Sequence, residues 1–160
     1  MLANSAHAGP FTYTNKWGDM FLAGSVFYAY GMAARDGDLE GVWQLTGSVA
    51  ASQLATEGLK HMVHEQRPDG SDYLSFPSGH AAGAFSGAMF VHKRYGWKPA
   101  IAPYVMSGIS AWQRVDSRRH YWWDAAGAAA ISALFTWMIV DEFQVSAAPG
   151  LVAVKYQTGF

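Results

Sequence analysis

The sequence predicts an all-α fold, a single compact bundle of five to six helices, from three observations. Apolar residues at helical spacing fill four charge-free runs, which polar turns and prolines separate. Charged residues make up only 14% of the chain and apolar residues 51%, so most helix faces should be buried. The length of 160 residues suits one domain, 1–160, that can bury a core of its own.

Boundary signals set the predicted order of the helices. A glycine-containing polar turn ends the first helix, and Pro68 is expected to end the second, because proline cannot donate to the preceding turn. Pro77 suits the first turn of the third helix, and Gly96 follows its end. The predicted ranges are 17–34, 39–66, 77–95, 99–114 and 118–142, with a break at 115–117.

The two chain termini carry weaker patterns. Beyond Pro149 the residues LVAVKYQTGF alternate in polarity, which predicts a short C-terminal strand that pairs with residues 11–13. Near the start, Ala6-His7-Ala8 has the small-x-small pattern of a signal-peptidase site, although no apolar stretch precedes it. We therefore expect residues 1–8 to be the remnant of a signal peptide and the mature protein to lie outside the cytoplasm.

Charge and hydropathy exclude several classes of protein. A net charge of -1 gives no basic field for nucleic acid, and the lack of cysteine excludes thiol catalysis and thiolate metal sites. The charge-free runs are shorter than the roughly 20 apolar residues of a bilayer span, and mean hydropathy is +0.00. These values favour a compact bundle over a polytopic membrane protein. Gly79, Gly83 and Gly87 form a stripe that permits close approach of a neighbouring helix.

The first of three polar clusters is KHMVHEQRP. Lys60 and Arg67 lie two turns apart in the predicted second helix, so both cations should project from one face. A helix tolerates two neighbouring cations when they are solvated or when an anion binds between them. The spacing alone leaves both interpretations open.

The second cluster is Pro77-Ser78-Gly79-His80, at the start of the third helix. The unpaired N–H groups of a helix N-terminus bind anions, and Gly79 allows a ligand to approach the backbone. His80 beside an anion would keep its proton more readily and could act as a general acid. The alternative is an ordinary surface histidine in a first helical turn.

The third cluster is RVDSRRHYWWD. His120 and Asp124 are four residues apart, so they should share a helical face, where the carboxylate can hold one ring proton and leave the other nitrogen nucleophilic. A break near residues 116–117 is needed to bring Arg114 to the same place. The alternative is a routine surface pair.

Together the clusters resemble the three-part signature of the type 2 phosphatidic acid phosphatase superfamily, which also includes bacterial acid phosphatases and vanadium-dependent haloperoxidases. The matching residues span 60–124 and are Lys60, Arg67-Pro68, Pro77-Ser78-Gly79-His80, Arg114, His120 and Asp124. The chain departs from the signature at Gln113, where the family usually has serine, and in the short linker between Pro68 and Pro77.

The resemblance implies a phosphatase without metal or cofactor that hydrolyses phosphomonoesters or diphosphates, lipid phosphates included, through a phosphohistidine intermediate. His120 would attack phosphorus, Asp124 would orient it, and His80 would protonate the leaving alkoxide. The phosphate oxygens would contact Lys60, Arg67, Ser78, Gly79 and Arg114. The expected partner is a phosphate-ester substrate at a membrane surface, and the expected location is the periplasm or its membrane.

Two alternatives stay open at this point. A vanadate-dependent haloperoxidase could use the same pocket, although those relatives are much larger chains. A non-catalytic helical membrane or scaffold protein could carry a degenerate form of the site. Arg118 and Arg119 are further cations beside the third cluster, which could reach a second phosphate or remain solvated.

Overall fold

The computed structural model describes residues 16–148 and 151–157, with side chains described over 17–141. Five helices and two strands occupy the described residues. The helices are α1 (Lys16–Arg35), α2 (Leu39–Val63), α3 (Gly79–Tyr95), α4 (Trp97–Asp116) and α5 (Trp122–Ile139). The strands β1 (Glu142–Ala148) and β2 (Leu151–Gln157) pair antiparallel. The predicted all-α bundle of five to six helices is confirmed.

Helix α3 lies at the centre of the bundle and packs against the other four helices. It can do so because one of its sides carries glycine. A Cβ atom added at Gly83 would meet Leu22 and Gln53, and one added at Gly87 would lie 2.9 Å from the backbone oxygen of Ser25. The glycine stripe therefore permits the close approach of a neighbouring helix that its spacing predicts, most clearly against α1 at Gly87.

The interior of the bundle is built from small residues, several of them polar. Ser25 donates to the Ala84 carbonyl at 2.7 Å, and Ser132 donates to the Ala82 carbonyl at 2.8 Å, so buried hydroxyls link neighbouring helices to α3. Many large apolar side chains lie outside instead, including Trp43, Leu134 and Met138 among those described. Close packing through small residues is typical of helix pairs that approach with little side-chain volume between them.

None of the described helices combines the length and the hydropathy that crossing a membrane requires.

A buried ionic cluster joins α2 to the C-terminal end of α3. Asp38 caps α2 by accepting from the Gly41 N–H at 2.8 Å, and it also accepts from Tyr95 at 2.7 Å and from both Nε and Nη2 of Arg94. Burial opposes ionisation of Asp38, but these hydrogen bonds outweigh it and lower the pKa of the carboxyl. The cluster fixes the end of α3 that lies away from the residues discussed below.

The predicted boundaries of two helices are wrong around the polar clusters. Helix α2 ends at Val63 rather than at 66, because His64 adopts a left-handed conformation with φ of 50° and caps the helix. Helix α3 begins at Gly79 with Ser78 as its N-cap, so Pro77 precedes the cap and is not in the first turn.

The break between α4 and α5 also differs from the prediction. Helix α4 continues through Asp116, and the break covers 117–121, where Arg118 has a left-handed φ of 55°. Helix α5 therefore begins at Trp122 and ends at Ile139, shorter than the predicted range at both ends.

The C-terminal strand is present as β2, and its partner among the described residues is β1. The predicted partner, residues 11–13, and the predicted signal-peptide remnant, residues 1–8, lie outside the described residues.

We expect Gly87→Ala to lower the free energy of unfolding by about 1–3 kcal/mol, because the added methyl group would press on backbone atoms of Ser25 that cannot rotate away. Denaturant unfolding followed by circular dichroism measures this change. The matched control is Gly31→Ala in α1, where an added Cβ meets nothing within 4 Å. That control should be neutral or stabilising by up to about 1 kcal/mol, and an equal loss in both variants would contradict the packing argument.

Candidate active site

The predicted site residues meet at one end of the bundle. Helices α2 and α4 end there, and α1, α3 and α5 begin there, because successive helices run in opposite directions. Backbone hydrogen bonds tie the segments together. The Ser78 N–H donates to the Asp124 carbonyl at 3.2 Å, and the His120 N–H donates to the Arg114 carbonyl at 3.2 Å. The break between α4 and α5 thus places His120 directly beside Arg114.

His120 is buried and its tautomer is fixed by its neighbours. Its Nδ1 lies 2.8 Å from the backbone oxygen of Ser75 and 3.2 Å from Oδ2 of Asp124, and the residue is only 3% exposed. A carbonyl oxygen can only accept, so Nδ1 carries the proton in the neutral ring. The lone pair is therefore on Nε2, the nitrogen that can act as a nucleophile.

Asp124 is a fully buried carboxylate in the first turn of α5. Its Oδ2 accepts from the Ser75 hydroxyl at 2.5 Å and from the Tyr121 N–H at 2.9 Å, as well as from His120. Burial opposes ionisation, but these donors outweigh it and lower the pKa of Asp124. Asp124 is therefore a fixed negative charge behind the imidazole.

The ring of His120 is held neutral. Burial is the largest cause that lowers its pKa, and the charges of Arg67 and Arg114 lower it further, while Asp124 raises it. The net pKa lies below the ordinary histidine value of 6.5. At neutral pH the nitrogen that faces away from Asp124 consequently keeps its lone pair.

His80 has a different environment in the first turn of α3. Its Nε2 lies 2.7 Å from Oδ1 of Asp19, in the first turn of α1, and its side chain is 35% exposed. Burial and the charge of Arg114 lower the pKa of His80, while Asp19 raises it. The charge of His120 also lowers this pKa, so the two histidines are close enough to interact electrostatically. His80 is partly exposed to solvent, whereas His120 is buried.

Arg114 is the most deeply buried of the predicted phosphate-binding cations. It is 6% exposed, and its Nε has no hydrogen-bond partner in the part of the chain that the structure describes. Burial lowers its pKa, and Arg119 and Arg67 lower it further, while Asp19 raises it. A buried guanidinium N–H group that lacks a hydrogen-bond partner is destabilising unless an acceptor, such as an anion, binds it.

Two further cations belong to the group: Arg67, whose charge acts on Arg114, and Lys60, which lies near the start of α3. Arg67 lies in the loop after α2, where it contacts Asp72 at 2.6 Å and the Arg119 carbonyl at 3.3 Å. Lys60 is in the last turn of α2, and its Nζ would lie 3.5 Å from a Cβ added at Gly79. The Lys60 ammonium group therefore lies against the N-terminus of α3.

The N-terminus of α3 adds backbone donors to these cations. Ser78 is buried and caps the helix through a long contact, 3.5 Å from its Oγ to the Ala81 nitrogen. The first turn of a helix has N–H groups without intrahelical partners and carries the positive end of the helix dipole. Ser78, Gly79 and the cations around them form a site that can bind a compact anion.

Two geometric predictions about these residues are wrong, although the residues do come together. Lys60 and Arg67 do not share a helical face, because α2 ends before Arg67. His120 and Asp124 do not share one either, because His120 precedes α5 in the turn at 117–121. In both cases a loop, and not helical periodicity, determines the position of the side chain.

Sequence reasoning missed three residues that contact the site: Ser75, Asp19 and Glu65. Asp19 could have been noticed as an isolated carboxylate at the start of an apolar helix, and Glu65 as an acid within a basic motif. Ser75 gave no signal, since its role depends on a loop that places its carbonyl and hydroxyl against His120 and Asp124.

Gln113 stands where the family usually has serine. It is buried, its Oε1 lies against Gly18, and it lines an apolar cavity of about 380 Å³. The other residues that line the cavity are Trp17, Phe21, Ile109 and Trp112. A Cβ added at Gly18 would meet side-chain atoms of both Gln113 and Arg114, so the cavity lies at the same end of the bundle as the anion site.

We expect Asp19→Asn to lower the pKa of His80, because the substitution removes the negative charge that stabilises the imidazolium ion. An NMR titration of the histidine ring protons measures this shift. Asp36→Asn, at the other end of α1 where Asp36 pairs with Arg35, is the matched control and should leave the His80 titration unchanged. An unchanged His80 pKa in Asp19→Asn would mean that the contact with Asp19 does not form.

Comparison with known proteins agrees with the motif. The chain is 33% identical over 94 residues to the Lipid A 4'-phosphatase of Helicobacter pylori strain J99, which covers 52% of this chain and 48% of that protein. It is 33% identical over 78 residues to the Lipid A 1-phosphatase of Porphyromonas gingivalis strain ATCC 33277, which covers 47% of this chain and 18% of that protein. The chain thus spans half or less of the length of these relatives.

No solved structure matches the chain significantly. The family model of the PAP2 superfamily matches residues 41–146, a range that contains every residue of the three clusters. The chain belongs to the PAP2 superfamily.

Proposed function

We propose that the protein is a metal-independent phosphatase that hydrolyses a lipid-borne phosphomonoester through a phosphohistidine intermediate. The observation that carries this proposal is the pairing of two buried side chains. The Nε of Arg114 lacks a hydrogen-bond partner among the described residues, and the Nε2 of His120 keeps its lone pair. One is suited to bind phosphate, and the other is suited to attack it. Membership of the superfamily and the lipid A phosphatase relatives support the same conclusion.

Phosphate binding is the first step of the proposed mechanism. Phosphoryl transfer depends mainly on positioning and on stabilisation of charge on the equatorial oxygens. Arg114, Arg67 and Lys60 supply the positive charges. Ser78 and the first N–H groups of α3, at Gly79, supply neutral donors. Bound phosphate would also raise the pKa of His80 by favouring its protonated form.

In the second step the Nε2 lone pair of His120 attacks phosphorus and the bond to the leaving oxygen breaks. His80 gives its proton to that oxygen, so the product leaves as an alcohol. Asp124 stabilises the positive charge that develops on the phosphorylated ring. Neutral His80 then takes a proton from water, which attacks phosphorus, breaks the N–P bond and releases phosphate.

We expect His120→Ala to lower kcat on para-nitrophenyl phosphate by about a thousandfold or more, because it removes the nucleophile. Release of the coloured phenol measures the rate. The control is His61→Ala, since His61 is exposed on the outer part of α2 and pairs only with Glu57 among the described contacts. Near-normal turnover in His120→Ala would overturn the assignment of the nucleophile.

Vanadate separates this proposal from the haloperoxidase alternative. Vanadate should inhibit a phosphatase by binding as phosphate does, whereas it should activate a haloperoxidase. A preparation that is inert towards every phosphoester, with or without vanadate, would favour the non-catalytic alternative.

The proposed substrate is lipid-borne because apolar surface lies at the same end of the bundle as the polar site. The cavity beside Gln113 has an apolar lining and the volume for a flexible hydrocarbon chain. Trp122 and Trp123, both more than half exposed, follow His120 at the same end of the bundle. Exposed tryptophans at one end of a helical bundle are typical of contact with a membrane interface. We therefore propose that the protein acts at a membrane surface, and that its site faces the periplasm, as the signal-peptidase pattern at residues 6–8 predicts.

We expect Ile109→Ala to lower kcat/KM about tenfold on a long-chain lipid phosphate in detergent micelles, because it removes apolar contact with the chain. Para-nitrophenyl phosphate, which has no such chain, should be hydrolysed at the unchanged rate. Ile101→Ala is the matched control, since Ile101 is exposed on the same helix and does not line the cavity. Equal losses on both substrates would contradict the chain-binding role of the cavity.

A further inference from the structure

Two buried carboxyl oxygens beside the site lack a hydrogen-bond donor in the part of the chain that the structure describes. They are Oε2 of Glu65 and Oδ1 of Asp124, and neither has a hydrogen-bond partner among the described residues when both groups are counted as carboxylates. Yet the two residues are close together. The Ser75 N–H donates to the Glu65 carbonyl at 3.0 Å while the Ser75 hydroxyl donates to Asp124 at 2.5 Å, and the two carboxyl groups lie near enough for each to shift the pKa of the other. A carboxylate can only accept, so two carboxylates cannot satisfy each other. A single proton between them satisfies both oxygens.

The surroundings decide which carboxyl group carries this proton. Asp124 already accepts from three donors at Oδ2 and sits in the first turn of α5, where the helix dipole favours negative charge. The side chain of Glu65 accepts from one donor among the described residues, the indole N–H of Trp123, which lies 2.8 Å from Oε1. Burial is the largest cause that raises the pKa of Glu65, and the neighbouring Asp124 raises it further. The proton therefore belongs on Glu65.

We propose that Glu65 is a positioning residue that stays protonated and donates to Oδ1 of Asp124, so that the two carboxyl groups together carry one negative charge behind His120.

This arrangement has two effects on His120. Donation from Glu65 fixes the second oxygen of Asp124, so the carboxylate cannot rotate away from the imidazole. It also makes Asp124 a weaker base, so the Nδ1 proton stays on His120 and Nε2 keeps its lone pair. The catalytic consequence rests on the proposed function, whereas the protonation of Glu65 does not.

The first experiment compares Glu65→Ala with Glu65→Gln. The alanine variant leaves Oδ1 of Asp124 buried without a donor, which should lower kcat on para-nitrophenyl phosphate about tenfold with little change in KM. Glutamine has the shape of a protonated glutamate, since its amide nitrogen can donate to Asp124 and its oxygen can accept from Trp123. It should recover most of the lost rate. Glu40→Gln, at an exposed position in the first turn of α2, is the control and should behave as the unsubstituted protein.

A glutamine variant that is as slow as the alanine variant, with both folded by circular dichroism, would overturn the proposal. So would an alanine variant with an unchanged kcat.

The second experiment does not depend on activity. Infrared spectra of the full chain near neutral pH should contain the carbonyl band of a protonated carboxylic acid. The difference between the spectra of the unsubstituted protein and a variant should show that Glu65→Gln removes this band and that Glu40→Gln keeps it. Absence of that band, or its persistence in Glu65→Gln, would overturn the proposal even if Glu65→Ala does not fold. If the protein hydrolyses no phosphoester while the band is present and sensitive to Glu65→Gln, the proposed function fails and the protonated Glu65 stands.

Discussion

A single buried carboxylate joins the segments that form the candidate site. The side chain of Asp124 accepts from Ser75 in the loop before α3, from His120 in the turn before α5, and from the backbone of Tyr121. Its backbone carbonyl accepts from the N-cap of α3, Ser78. If this residue moved, the ring of His120, the start of α5 and the N-terminus of α3 would each lose one of their restraints. The geometry of the site thus depends on one fully desolvated negative charge and on the donors that stabilise it.

The narrow central helix makes this convergence possible. Four helices can surround α3 because it is built from glycine, alanine and serine along much of its length. Buried serines of neighbouring helices then donate to its carbonyls, which adds directional contacts where there is little side-chain volume. Because small residues fill much of the interior, many of the bulky apolar side chains lie on the outside. The exposed apolar side chains and the interior of small, partly polar residues both follow from the close packing around α3.

Much of this fold could be predicted from the sequence, because apolar periodicity and turn residues give the number and order of the helices. The motif residues could also be identified, since their spacing resembles that of a known family. The local geometry could not be predicted. Nothing in the sequence indicates that His64 and Arg118 adopt left-handed conformations, and these two residues place Arg67 and His120 in loops.

The long-range contacts of the site could not be predicted from the sequence either. Asp19 reaches His80 from a helix about sixty residues earlier in the chain, and Ser75 reaches His120 through its carbonyl, a group that every residue has. Glu65 was visible as an acid beside a basic motif, but its meaning depends on facing Asp124. Residue type and spacing identify the groups that carry the chemistry, whereas the groups that orient them are found only in three dimensions.

The bond between the Ser75 carbonyl and Nδ1 of His120 also determines the regiochemistry of the ring. Since that nitrogen is occupied as a donor and buried, an electrophile can add only at the opposite nitrogen. Any covalent adduct trapped on this histidine is then one positional isomer and not a mixture of two, and the backbone, which no side-chain substitution at residue 75 removes, makes that selection.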